Sequence, residues 1–238
     1  FLYINEPRSM PPEFFARRPG MRGAEYRGHY AMCTSVPEVR EWISGSLAHV
    51  FRAVPELGGV FSITMSENFT HCHSRPRAET CPRCSRRANW QVVGELLEAI
   101  RTGVRASSRT AEVIAWDWGW PGEMARRVIP RLPRDTRFQS VSEWSIPIER
   151  GGVKSTVGEY SISVVGPGPR ATAHWELARK AGVRTLAKTQ FNNTWEISAV
   201  PYIPVGYLVA RHCANLRQAG VSGVQASWTL GGYPSPNL

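Results

Sequence analysis

Six strand-like runs alternate with amphipathic helical stretches along this chain, and that alternation limits the possible folds more than any other feature. The runs cover residues 2–6, 60–66, 112–116, 137–142, 184–189 and 221–228. A strand that runs the same way as its predecessor needs a long crossover, which a helix supplies, so the repetition predicts parallel strands with helical connections. Val39, Trp42, Ile43, Leu47, Val50, Phe51 and Val54 share one helical face, preceded by Ser35-Val36-Pro37-Glu38 in capping-box form. A second helix carries Val93, Leu96, Leu97, Ile100 and Val104. A third carries Trp175, Leu177, Ala178 and Ala181 before Gly182, and a fourth carries Val205, Leu208, Val209, Cys213 and Leu216 before Gly220. Both glycines suit the left-handed backbone of a helix C-cap.

Small and polar residues alternate on several of the strands, as in Ser62, Thr64 and Ser66, or Ser140 and Ser142. A doubly wound sheet buries apolar side chains on both faces, whereas a barrel lumen accepts small or polar ones near its catalytic mouth. No strand is followed by the G-x-G-x-x-G turn of a dinucleotide fold. The expected fold is therefore α/β, a (β/α)8 TIM-type barrel. Six units do not close eight strands, so residues 1–238 are read as a partial barrel lacking its first two strands. The run 2–6 becomes the third strand and 60–66 the fourth. An opening of Phe1-Leu2-Tyr3-Ile4 fits a buried strand better than a charged leader, so the sequence carries no evidence about secretion.

With 238 residues and 42% apolar content, the chain can bury one substantial core. It has no run of about 18 or more apolar residues, as a membrane-crossing helix would require. The formal charge of +10 would attract nucleic acid, but the arginines behind it are scattered rather than gathered in one patch. A nucleic-acid partner is not favoured.

Chemistry is expected at the strand ends, where barrel enzymes keep it. Glu67 follows the fourth strand, Asp117 the fifth and Glu143 the sixth; these are the candidate catalytic residues. Around them the pattern gathers Glu6, Asn68, Trp116, Trp118, Trp144, Gln190, Asn192 and Trp228 as candidate substrate-binding residues. Carboxylates can protonate and stabilise a reacting glycosidic bond, and indole faces suit the C–H surfaces of sugar rings. The tip Ser66-Glu67-Asn68, with Asn5-Glu6-Pro7, Ser227-Trp228 and the strand order, resembles the family 20-like glycoside hydrolases, the β-N-acetylhexosaminidases and related bacterial barrels with Cys-rich loops. The resemblance implies hydrolysis of an oligo- or polysaccharide, a hexosaminide among the substrates, with no cofactor required for catalysis. It implies Glu67 as general acid. Ser66 stands where that family has an Asp orienting the substrate acetamido group, which leaves the role to Asn68 or Asp117. A carbohydrate-binding barrel without turnover and a metal-dependent hydrolase are the other classes the residues allow.

Cys81-Pro82-Arg83-Cys84 has the spacing that lets two thiolates share one tetrahedral ion, and Cys72 with His71 or His73 could complete a Cys3His set. Structural zinc, packed thiols without metal and a disulfide all remain open for this loop. Cys33 and Cys213 lie far from it in sequence, and five cysteines at such spacings do not form a disulfide framework.

Overall fold

The structure is a computed structural model that describes residues 1–191, 196 and 203–227. The chain divides into two compact units, Phe1–Arg137 and Phe138–Leu238. The first contains β1 (Leu2–Ile4), β2 (Ser9–Met10), β3 (Arg22–Tyr26), β4 (His29–Met32), β5 (Gly59–Ile63) and β6 (Glu112–Trp116). Its helices are α1 (Pro12–Ala16), α2 (Pro37–Ala53), α3 (Asn89–Arg105) and α4 (Gly122–Val128). β5 lies between β1 and β6 and is parallel to both, with Phe61 level with Tyr3 on one side and Ile114 on the other. These are the parallel strands and helical crossovers that the alternating pattern predicts.

The core of this unit follows from the periodicities. Val60 and Val113 turn inward from their strands, and Val39, Ile43, Leu47 and Phe51 of α2 meet Val92, Leu96, Ile100 and Val104 of α3. Trp42 and Val54, placed on the same face by the sequence pattern, are exposed instead. The two helices approach closely because α3 has a glycine at the crossing. A Cβ on Gly103 would lie 2.4 Å from the Ser44 carbonyl oxygen. α2 begins without a capping side chain: its N-cap is Val36 and Pro37 opens the first turn. Proline suits that position, since its ring presets φ and it lacks the N–H that would go unsatisfied.

Beside the parallel strands, β2, β4 and β3 form a separate antiparallel sheet in that order. A two-residue turn joins β3 to β4, with Arg27 at φ 52° and Gly28 at φ 76°, the left-handed pair that matches strand twist in a tight hairpin.

The second unit opens on β7 (Arg137–Val141) and continues with β8 (Pro147–Arg150), β9 (Val153–Thr156), α5 (Pro169–Lys180), β10 (Arg184–Lys188), α6 (Gly206–Gln218) and β11 (Val224–Gln225). β10 lies between β7 and β11, and pairs with β11 in parallel. β8 and β9 form a hairpin through Gly151 and Gly152, both left-handed. Phe138, Val141, Trp175, Ala178 and Ala187 are completely buried. Trp175 adds a specific tie, donating from Nε1 to the Leu186 carbonyl at 3.0 Å.

Candidate functional site

In the first unit, polar bonds between loop residues shape the ends of β1 and β5. Asn5, almost fully buried, donates from Nδ2 to the Ile63 carbonyl at 2.6 Å and accepts from Ser66 Oγ at 3.0 Å. Ser66 Oγ in turn accepts from the Asn68 amide at 3.1 Å. Arg75 donates to the carbonyls of both Ser66 and Glu67, so the backbone of this tip is gripped from the loop that follows it. The Glu67 side chain is exposed. Near it lies the Tyr3 phenol, whose pKa is raised first by burial and then by the negative charge of Glu67, with Arg8 opposing. Glu6 pairs with Arg8 at 3.3 Å. An exposed pair of this kind contributes little to stability.

After β6, Asp117 is fully buried and its carbonyl accepts from the Trp120 amide at 3.0 Å. Trp120 donates from Nε1 to Thr64 Oγ1 at 2.8 Å, which joins the loops after β5 and β6. Gly119 permits the approach: its φ is 71°, and a Cβ there would stand 2.4 Å from the Met65 carbonyl oxygen. Trp116 is completely buried and packs at a tilt on Phe61, while Trp118 is half-buried. Of these two indoles, Trp118 is the one that reaches solvent.

In the second unit the strand ends carry a buried acid and a buried base. Glu143, just past β7, is completely buried, and neither carboxyl oxygen meets a hydrogen-bonding partner among the described residues. Burial raises its pKa to about 7, with the Lys188 charge pulling the other way. Lys188, the last residue of β10, is equally buried, and burial lowers its pKa to about 7 against the pull of Glu143 and Glu159. Its Nζ donates to the Thr189 carbonyl at 2.5 Å and to Gln190 Oε1 at 2.8 Å, and lies 4.8 Å from the Tyr160 ring centre. Gln190 is thus fixed by the lysine. Trp144 is half-buried, with the Arg170 guanidinium 4.7 Å from its ring centre. Behind Glu143, Ser142 Oγ lies 2.7 Å from Nε2 of His212, whose pKa burial lowers to about 4. Gly166 packs against this pair, since a Cβ there would come within 2.6 Å of His212 Nε2. Asn192 and Trp228 lie outside the described residues.

A third group has a different character. Cys33, Cys72, Cys81 and Cys84 are all buried free thiols whose sulfurs lie within 4.8 Å of one another, a set that could hold a metal ion. His71 and His73 are not part of it. Cys33, which the linear spacing had set apart, is brought in by the β3–β4 hairpin.

Lys188, His212 and Cys33 are the residues that sequence reasoning missed. Lys188 carried at most a weak signal, two residues before the strand-end amide Gln190, in a position that reads as an ordinary strand boundary. His212 and Cys33 had none, because their neighbours come from distant parts of the chain.

No protein family matches the sequence, and no curated protein does either. Solved structures do resemble it. A GH20 exo-β-N-acetylglucosaminidase from Vibrio harveyi, in complex with N-acetylglucosamine, matches 95% of this chain at 11% identity with a TM-score of 0.50. An inactive variant of that enzyme matches 96% of the chain at 10% identity and TM-score 0.48. A GH138 enzyme targeting pectin rhamnogalacturonan II matches 94% at 12% identity and TM-score 0.44. The chain spans 34% of the first enzyme and 21% of the last. The likeness to the first is one of fold, the α/β fold of a glycoside hydrolase.

Proposed function

We propose that this chain is part of a (β/α)8 barrel glycoside hydrolase acting on an oligo- or polysaccharide, with hexosaminides as the first substrates to try. The observation that supports it most is Glu143, a strand-end carboxyl kept protonated to about pH 7 by burial. A general acid must hold its proton at working pH and release it to the leaving oxygen, and burial of a carboxyl is a known way to achieve this. On that criterion the acid is Glu143 rather than the exposed Glu67. Glu67 and Asp117 remain the other candidate catalytic carboxylates on sequence grounds. Glu6, Asn68, Trp118, Trp144 and Gln190 would contact the substrate, while Trp116, buried behind Phe61, would support the wall. Asn192 and Trp228 keep their proposed binding role on sequence grounds. The chemistry needs no cofactor in this reading, and zinc among the cysteines would be structural.

The test is a panel of chromogenic glycosides, β-N-acetylhexosaminides first, assayed with the protein and its Glu143→Gln variant. General acid catalysis contributes roughly 10²–10⁴-fold, and the variant should lose about that much kcat on substrates with poor leaving groups. Equal turnover by both proteins would remove Glu143 from the role. Saturable sugar binding with no turnover would leave a carbohydrate-binding barrel in place of an enzyme.

A further inference from the structure

The four buried cysteines come from three places in the fold. Cys33 follows β4, Cys72 lies in the loop after β5, and Cys81 and Cys84 flank Pro82-Arg83 further along that loop. Cys33 Sγ lies 3.8 Å from Cys81 Sγ and 3.6 Å from Cys84 Sγ. An ion with Zn–S bonds of about 2.3 Å at the centre of a tetrahedron sets its sulfurs about 3.8 Å apart. These separations therefore match tetrahedron edges, and they are far longer than the roughly 2 Å of a disulfide.

The surroundings are arranged for sulfur that carries negative charge. The Ala24 amide donates to Cys72 Sγ at 3.3 Å and Arg83 Nε donates to Cys33 Sγ at 3.4 Å. Ser35 Oγ lies 3.3 Å from Cys84 Sγ. Arg83 is anchored by a 2.6 Å bond to the Arg22 carbonyl, which keeps its positive charge against the cluster. β3 is pressed onto the cluster at Gly23, where a Cβ would sit 2.6 Å from Cys72 Sγ. Donors of this kind around metal ligands orient them and tune the charge of the site.

We propose that Cys33, Cys72, Cys81 and Cys84 bind one structural zinc ion as a closed tetrathiolate site that fastens the β3–β4 hairpin to the loop after β5. Each thiol gives up its proton as its sulfur binds, and the resulting Zn(Cys)4 group has a net charge of −2 that Arg83 partly balances. Four protein ligands leave no position for water, so the ion supplies no chemistry of its own. The segment between β5 and α3 has only short 3-10 turns for regular structure. A connection of that length inside a compact unit needs some other source of order, and the ion provides one. Arg75, from the same loop, holds the Ser66 and Glu67 carbonyls, so the ion indirectly steadies the tip that carries Glu67. This site is independent of the glycosidase reading and stands or falls without it.

The experiment is elemental analysis and native mass spectrometry of the protein purified under reducing conditions without added metal, followed by replacement of the ion with Co²⁺. One zinc per chain is expected, and the cobalt form should show the intense visible bands of tetrahedral sulfur coordination. Titration with a mercurial should release the zinc as four thiols react. His73→Gln and Cys213→Ser should each retain one zinc, while Cys33→Ser should lose it or bind it at least tenfold more weakly. Metal-free protein with a normal folded spectrum, or one iron in place of zinc, would overturn the proposal. Retention of tight zinc by Cys33→Ser together with its loss in His73→Gln would show that the ligand set is wrong. The wild-type stoichiometry decides the matter even if Cys33→Ser fails to fold.

Discussion

Glu143 and Lys188 push each other's titration in opposite directions to burial. Burial favours the neutral carboxyl and the neutral amine, while each charge favours the other. Groups coupled in this way titrate as a pair. If turnover needs protonated Glu143, kcat/KM should fall as pH rises through about 7. Lys188→Met removes a cation that holds the carboxyl pKa down, so this alkaline limb should move to higher pH in a pH–rate profile. A limb that stays in place would mean that another group sets it. Stability should respond with the opposite emphasis. A lysine whose folded pKa is depressed contributes stability that is present above the ordinary ammonium pKa and is lost as pH falls through about 7. Lys188→Met takes up no proton at this position, so its melting temperature relative to wild type should rise as pH falls from about 10.5 to about 7 and then level off. The acid of this pair was legible in the sequence, because Glu143 ends a recognisable strand. The base was not, because a lysine at the end of an apolar run reads as an ordinary boundary residue until the fold buries it.

At the scale of elements, the helix pair α2 and α3 depends on Gly103. Adding one methyl group there meets the Ser44 carbonyl rather than a yielding side chain. Gly103→Ala gains a little helix propensity, but overpacking of this kind typically costs about 1–3 kcal/mol. A lower urea midpoint with an unchanged m-value is the expected result, and a stabilised variant would show that the helices can separate without cost. Among the described residues, periodicity located the six strands of the main sheet and its longer helices, since burial of one face repeats at intervals a sequence displays. It overextended the strand ends: the run 60–66 stops pairing at Ile63, after which Thr64 and Ser66 turn to loop contacts. The Ser35 cap fails for a comparable reason. Its hydroxyl accepts from Arg87 Nη1 at 2.8 Å and lies beside Cys84, tertiary partners that no local motif reveals. The two hairpins carry a local signal of their own, the left-handed turn pairs Arg27-Gly28 and Gly151-Gly152.

Across the whole molecule the +10 charge is spread among ion pairs as well as solvent. In the first unit, Asp135 accepts from Arg101 at 2.7 Å and from Arg105 at 2.8 Å. Burial tends to raise its pKa, but the two guanidinium groups prevail and hold it down to about 2. Its contribution to stability is present above the ordinary carboxylate pKa and is lost as pH falls toward 2. Because the pair is partly exposed, solvent screening limits the contribution to about 1 kcal/mol or less. Asp135→Asn should accordingly lower unfolding free energy at pH 7 by that amount and make no difference near pH 2. Among the described residues, no helix is long and apolar enough to cross a membrane. The α/β class was legible from the order of elements, whereas the thiol cluster depends on a hairpin that brings together residues from separate parts of the chain.

That cluster also has a topological consequence. Cys33 precedes α2 and β5 in the chain, while Cys72, Cys81 and Cys84 follow them. Any bond network uniting these sulfurs therefore closes a ring around a complete helix and strand, as a buckle closes a belt. The enclosed pieces cannot peel away one at a time while the ring is shut, and the unfolded chain is deprived of the freedom that an open loop would have. During synthesis the four sulfurs can come together only after Cys84 has emerged, so α2 and β5 are both made before the ring can be completed.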